Sequence, residues 1–124
     1  METTTDTTEI VDAYLAMWNE DDADARAALI ERAWTPEARY LDPLLEADGY
    51  DGLTAMVEGV HGHYPGHRFV RTSGVDVHHD LARFGWELVA PDGSVTVAGL
   101  DVAELADDGR LRRITGFFGP LPEA

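Results

Sequence analysis

The spacing of apolar residues changes once along this chain, and that change limits the folds open to it. From Ile10 to Val60 they recur at helical intervals, whereas from His67 to Phe118 they mostly alternate. A helix returns to the same face every three or four residues, a strand every second residue. Helices that precede the strands, rather than interleave with them, predict an α+β domain with the helices packed on an antiparallel sheet. At 124 residues the chain is long enough for one domain with a substantial core.

The first helix carries Ile10, Val11, Tyr14, Leu15, Met17 and Trp18 on its apolar stripe, with Thr7 or Thr8 as its N-cap. Residues 1–8 read as a flexible polar segment ahead of a domain spanning 9–119, and 120–124 as a tail. Asn19–Asp22 breaks the helix. A second helix runs Ala23–Ala33 with Leu29, Ile30 and Ala33 inward, and ends at Trp34-Thr-Pro36 because a residue before proline is driven out of helical geometry. Glu37–Asp42 predicts a short strand with Ala38, Tyr40 and Asp42 on one face, then a loop over 44–49. Asp51 opens a third helix that buries Leu53, Met56, Val57 and Val60 and stops at Tyr64-Pro-Gly66. His67–Thr72, Val75–His79, Leu81–Val89, Ser94–Leu105 and Arg110–Phe118 predict strands, with turns at Pro91-Asp-Gly93 and Asp107-Asp-Gly109.

Composition narrows the partners. The formal charge is −15 and all nine basic residues are arginine, which argues against nucleic acid and anionic membranes. With no cysteine, disulfides, thiol nucleophiles and thiolate metal sites are excluded. No apolar run reaches membrane-spanning length and Met1–Glu9 lacks the pattern of a signal peptide, so a soluble, cytoplasmic protein is expected.

Asp101 is the most informative single residue. On its strand it shares a face with Val95, Val97, Gly99, Ala103 and Leu105. A carboxyl group on an apolar face must gain hydrogen bonds, shift its pKa upward, or both, and such groups recur at functional sites. The competing reading turns that face to solvent, since strand parity can slip at a bulge. His61 and His63 lie two apart on a helix, and His78 and His79 are adjacent on a strand, so neither pair converges and no metal site is expected. His67 and one of His78 and His79 remain candidate proton carriers at a pocket mouth. Arg39 and Arg83 are expected on outward faces beside acidic partners. No Gly-x-Ser-x-Gly elbow or phosphate-binding glycine loop is present.

Several segments together resemble one family. They are Tyr14-Leu-Ala-Met-Trp-Asn19, Tyr40-Leu-Asp-Pro43, Pro65-Gly-His-Arg-Phe69, Ala98-Gly-Leu-Asp101, Asp107-Asp-Gly-Arg-Leu111 and Thr115-Gly-Phe117. In this order, and over Glu9 to Phe118, the chain resembles the SnoaL-like branch of the NTF2-like superfamily. The resemblance implies a cone: three N-terminal helices on a curved, mostly antiparallel sheet, enclosing a pocket. That superfamily holds polyketide cyclases, ketosteroid isomerases and many non-catalytic domains, so fold does not decide activity. The isomerase pattern falls on Asp42 as general base, with Tyr14 and Asp101 as donors to an enolate oxygen. Trp18, Tyr40, Met56, Phe84, Trp86 and Phe117 would supply pocket or core wall, and the Trp18 ring takes space that a steroid would need. The resemblance implies no cofactor, a small hydrophobic ligand and a homodimer through the exposed sheet face. Asp42 has a second explanation, as the cap of a turn before Pro43, and Tyr14 as a core residue.

Overall fold

The computed structural model describes residues 6–124. Helix α1 spans Thr7–Asn19, and its N-cap is Asp6, whose carboxylate accepts from the Thr8 amide at 2.9 Å. The expected cap at Thr7 or Thr8 is therefore displaced to the preceding residue, where a charged acceptor also meets the positive end of the helix. Of the segment 1–8 expected to be flexible, Thr7 and Thr8 belong to α1 and Asp6 caps it, and the first five residues lie outside those described. Helix α2 spans Ala23–Ala33 and is capped by Asp22, which accepts from Ala25 N at 2.8 Å.

The inward stripe of α2 is Arg26, Ile30 and Ala33, whereas Leu29 is only half-buried. Arg26 is 3% exposed because its whole fork is engaged. It donates to the carbonyls of Glu20 and Asp21, at 3.1 and 3.2 Å, and pairs with Glu58 at 3.3 Å. The guanidinium thereby satisfies carbonyls left over after the end of α1.

Strand β1 spans Trp34–Leu41, beginning where α2 stops and three residues earlier than expected. Pro36 is accommodated because the ladder to the last strand is interrupted between Trp34 and Arg39, so no partner loses a donor there. The expected loop contains a short strand, β2 (Glu46–Asp48), folded back antiparallel on β1. Helix α3 (Gly49–His63) starts two residues before Asp51 and buries Leu53, Met56, Val57 and Val60 as its spacing predicts. The remaining strands are β3 (Arg68–Arg71), β4 (Asp76–His78), β5 (Leu81–Val89), β6 (Val95–Leu105) and β7 (Leu111–Phe118).

The sheet runs β2-β1-β7-β6-β5-β3, with β4 also on β5. All its pairings are antiparallel except β1 with β7. Its inner face presents Ala82, Phe84, Trp86 and Leu88 from β5, Asp101 and Ala103 from β6, and Ile114 from β7. Ile10, Val11, Tyr14 and Met17 of α1 and Leu53 and Val57 of α3 join them in one core. Each such aliphatic side chain contributes roughly 1.5–3 kcal/mol by leaving water. Among the described residues, no helix is long and apolar enough to cross a membrane.

Two irregularities decide which side chains face inward. Leu88 pairs with Val97 but Val89 with Val95, so an extra residue on β6 turns Val95 outward, 50% exposed. A second shift lies between Glu104 and Leu105, opposite Arg112, and reverses the parity of β7 between Leu111 and Ile114. Bulges of this kind bend a strand and re-aim the side chains beyond them.

Candidate functional site

Asp101 lies on the concave face of β6 and is 2% exposed. Tyr14, one layer above it on α1, donates its hydroxyl to Asp101 Oδ2 at 2.9 Å, and Trp86 Nε1 donates to Oδ1 at 3.0 Å. The Trp86 contact depends on Gly99, its cross-strand partner: a Cβ at Gly99 would stand 2.6 Å from the indole. Burial pushes the Asp101 carboxyl up to about 7, against the pull of its two donors, and the nearby Asp42 charge adds to the rise. Burial, then the Asp101 charge, raises the Tyr14 phenol well above its ordinary value.

Asp42 follows directly on β1, two residues beyond Tyr40 and so on the same face. Tyr40 donates to Asp42 Oδ2 at 2.6 Å, while the amides of Leu44 and Leu45 both donate to Oδ1 at 2.8 Å. Asp42 is therefore a turn cap and a tyrosine acceptor at once. Burial, then the Asp101 charge, raises the Tyr40 phenol, which also interacts with the Tyr14 hydroxyl. The two carboxyl groups are thus joined through two tyrosines. They converge on Gly116 of β7, where a Cβ would lie 2.8 Å from Asp101 Oδ1, 3.2 Å from Asp42 Cβ and 3.7 Å from the Tyr40 hydroxyl.

Above this cluster opens an apolar pocket of about 60 Å³, walled by Trp18, Phe69, Trp86 and Phe118, with Tyr40 and Asp42 among its polar lining. The aromatic rings largely fill it: Trp18 lies 5.0 Å from Phe69 and 5.6 Å from Tyr40, and Trp86 lies 5.9 Å from Phe118. A space of that size is far below the few hundred Å³ usual for a drug-sized ligand. It admits a slim or small molecule, or a larger one once a ring moves.

Of the residues singled out in the sequence, Trp18, Tyr40, Asp42 and Trp86 line the pocket. Tyr14 and Asp101 are brought together as expected, but beneath the pocket floor rather than on it. Met56 and Phe84 belong to the core, at 8% and 1% exposed, and not to the pocket wall. Phe117 points the other way, 56% exposed, and Phe118 takes its place. The bulge opposite Arg112 is the reason, since Phe117 shares its nominal parity with Leu111 while the inward set becomes Ile114, Gly116 and Phe118.

The histidines also settle. His61 Nε2 lies 2.7 Å from the Trp18 carbonyl, and His67 Nε2 lies 3.0 Å from Thr96 Oγ1. His78 and His79 do not face opposite ways. His79 leaves the strand at φ +53°, and the two Nδ1 atoms come within 3.0 Å. His67, His78 and His79 are absent from the apolar pocket wall. Among the described residues, no three His, Asp or Glu side chains are grouped to hold a metal ion. Arg39 pairs with Asp48 at 2.9 Å and Arg83 with Asp76 at 2.8 Å, on the outer face as expected.

Sequence reasoning missed Phe69, Phe118, Gly99 and Gly116, and took Tyr40 for wall alone. For Tyr40 a signal existed, because Tyr-x-Asp on a strand puts hydroxyl and carboxylate side by side.

The model of the SnoaL-like domain matches residues 11–114. No curated protein matches the chain. Among solved structures, a candidate isomerase of the SnoaL-like family from Agrobacterium tumefaciens strain C58 is 39% identical, covering 90% of this chain and 96% of its own, with a TM-score of 0.85. A candidate SnoaL-like polyketide cyclase from Jannaschia sp. CCS1 is 19% identical over 95% of this chain and 90% of its own, with a TM-score of 0.67. A protein of ketosteroid isomerase-like fold from Catenulispora acidiphila DSM 44928, solved with trimethylamine, is 13% identical over 94% of this chain and 88% of its own, with a TM-score of 0.71. The last two likenesses are of fold alone.

Proposed function

The chain belongs to the SnoaL-like domain family, and from that premise we propose that it is a cofactor-independent acid–base enzyme, isomerase- or cyclase-like, acting on a hydrophobic carbonyl compound. The observation that carries the reading is the Tyr40–Asp42 pair at the pocket, linked through Tyr14 to a buried carboxyl group that titrates near neutrality.

Asp42 removes a proton from the carbon α to the carbonyl and becomes a carboxylic acid, leaving an enolate. The Tyr40 hydroxyl, freed from the charge it served, turns to the enolate oxygen. Tyr14 and Asp101 support Tyr40 from below and do not touch substrate. Returning the proton to a different carbon completes an isomerisation. Attack of the enolate carbon on a second carbonyl of the same molecule, which takes up the proton at oxygen, completes a cyclisation.

The test is binding of phenols of graded acidity to wild type, Asp42→Asn and Tyr40→Phe. Affinity that rises with phenol acidity in wild type, and loses that slope in Tyr40→Phe, supports the reading. A flat, equal series in all three proteins would sink it.

A second reading has its own observation. The Asp42 carboxylate already accepts three hydrogen bonds, two of them inside its own turn, which suits a ligand-binding or accessory domain that performs no chemistry. Ligand affinity that does not change between about pH 5 and 8 would favour it. Under either reading we place a homodimer on the outer sheet face, where the cross-strand partners Leu100 and Phe117 are 37% and 56% exposed.

A further inference from the structure

Arginine is scarce here and nearly all of it is committed. Eight of the nine arginines lie within ion-pair distance of a carboxylate. Arg68, exposed at the start of β3, has no such partner among the described residues, although the chain carries 24 acids. Its position is as informative as its freedom. It lines a cleft of about 300 Å³ with His61, Tyr64 and His67, where α3 hands over to β3. Tyr64 lines that cleft on one side and the apolar pocket on the other.

The other polar side chains of the cleft are largely spent. Asn19 is bound on both sides of its amide by the Phe69 backbone, at 2.9 and 2.8 Å. His61 is held at the Trp18 carbonyl, and His67 lies between the Pro65 carbonyl and the Thr96 hydroxyl. Asp21 also borders the cleft, but its carboxylate is turned almost wholly to solvent, 3.6 Å from His61 Nδ1. The Arg68 guanidinium and the Tyr64 hydroxyl are left as side-chain donors with no acceptor among the described residues. A planar guanidinium and a hydroxyl lining one cleft are donors suited to the two oxygens of a carboxylate.

We propose that Arg68 and Tyr64 form an anion subsite, and that the ligand of this protein is an amphiphilic carboxylate: apolar body in the pocket, carboxylate in the neighbouring cleft. The inference rests on the apolar pocket being the ligand site and adds the ligand's charged end to it. A formal charge of −15 repels anions at long range, so the recognition is made at contact, by Arg68.

Octanoate and octanamide are suitable probes, because a single chain fits a narrow pocket and the two differ only in the head group. Binding is read from quenching of Trp18 and Trp86 at pH 7.5 and fixed ionic strength. The proteins are wild type, Arg68→Gln, Arg68→Lys, and Arg83→Gln as a distant control. Arg68→Gln weakens octanoate about three- to tenfold and leaves octanamide within about twofold. Arg68→Lys recovers part of the octanoate affinity, and Arg83→Gln changes neither. Equal weakening of both probes by Arg68→Gln, or unchanged octanoate binding, overturns the subsite while octanamide binding keeps the pocket reading alive. Failure of both probes to bind wild type overturns the two together.

Discussion

Asp101 and Gly116 are direct partners across the β6–β7 ladder, and the missing side chain of Gly116 is the space that the Asp101 carboxyl group occupies. The relationship makes a glycine with ordinary backbone geometry as restrictive as any polar residue of the cluster.

Gly116→Ala is the direct test of that restriction. Its Cβ would stand 2.8 Å from Asp101 Oδ1 and 3.2 Å from Asp42 Cβ, and both groups are tied by hydrogen bonds. Overpacking of this kind costs about 1–3 kcal/mol, read as a lower midpoint in urea denaturation. An unchanged midpoint would mean that the carboxyl group has room to move.

The buried carboxyl group also links stability to pH. Its pKa is about 7 in the fold against 3.8 for the free group, so the folded state holds the proton more tightly. The benefit is fully present below about pH 4 and is lost as pH rises toward 7. At 1.36 kcal/mol per unit the loss is about 4 kcal/mol at most. Asp101→Asn stays neutral throughout: its Oδ1 accepts from Trp86 and its Nδ2 donates to the Tyr14 oxygen. It is expected to flatten the stability profile between pH 4 and 7, and a profile as steep as that of wild type would assign the slope to other groups.

For catalysis, Asp42→Asn is expected to abolish turnover on any carbonyl substrate identified, because an amide cannot take the proton. Tyr40→Phe lowers kcat by about 10²–10³ through loss of one oxyanion donor, with little effect on KM. Asp101→Asn retains part of the activity, since it acts through Tyr40. Full activity in Asp42→Asn would falsify the proposed base.

Asn19 acts on the pocket from its edge. Its amide makes both hydrogen bonds that a neighbouring strand would offer Phe69, on a strand that otherwise ends the sheet. Asn19→Ala should cost about 1–3 kcal/mol, speed exchange of the Phe69 amide hydrogen, and let the Phe69 ring swing from Trp18 and Trp86. Bulkier ligands then gain affinity relative to slim ones. Exchange at Phe69 no faster than in wild type would show that packing alone holds β3.

The proposed homodimer is checked by light scattering of wild type and Phe117→Glu. A charge placed among Leu100 and its neighbours should yield monomers, with the pocket residues undisturbed because Phe117 lies on the other face. A wild type that is already monomeric at high concentration removes this interface.

Periodicity was enough to read most of this fold. The bounds of α2 and β5, the buried stripes of α1 and α3, and the inward set of β5 are all set by spacing. Two kinds of information were hidden. Bulges cost one residue and leave no reliable signature, so Phe117 and Phe118 exchanged roles and Val95 turned outward. Close approach is also silent in a single chain: Trp86 reaches Asp101 only because Gly99 has no side chain, and neither glycine advertises its neighbour. Asp42 kept both of its readings, as base and as turn cap, because the same oxygens serve each.

The parallel seam between β1 and β7 has a consequence for how the protein is made. Tyr40 meets Ile114 across it, so the first strand waits for the last before it has a partner on that side. Asp42 is synthesised well before Asp101 and Gly116, and the cluster that unites them cannot exist on a nascent chain lacking β7. The edge of β1 that β7 covers therefore stays open until that strand docks, which makes this seam the point where a slowed ribosome or a clipped strand would leave the sheet exposed and the Asp42–Asp101 cluster unformed together.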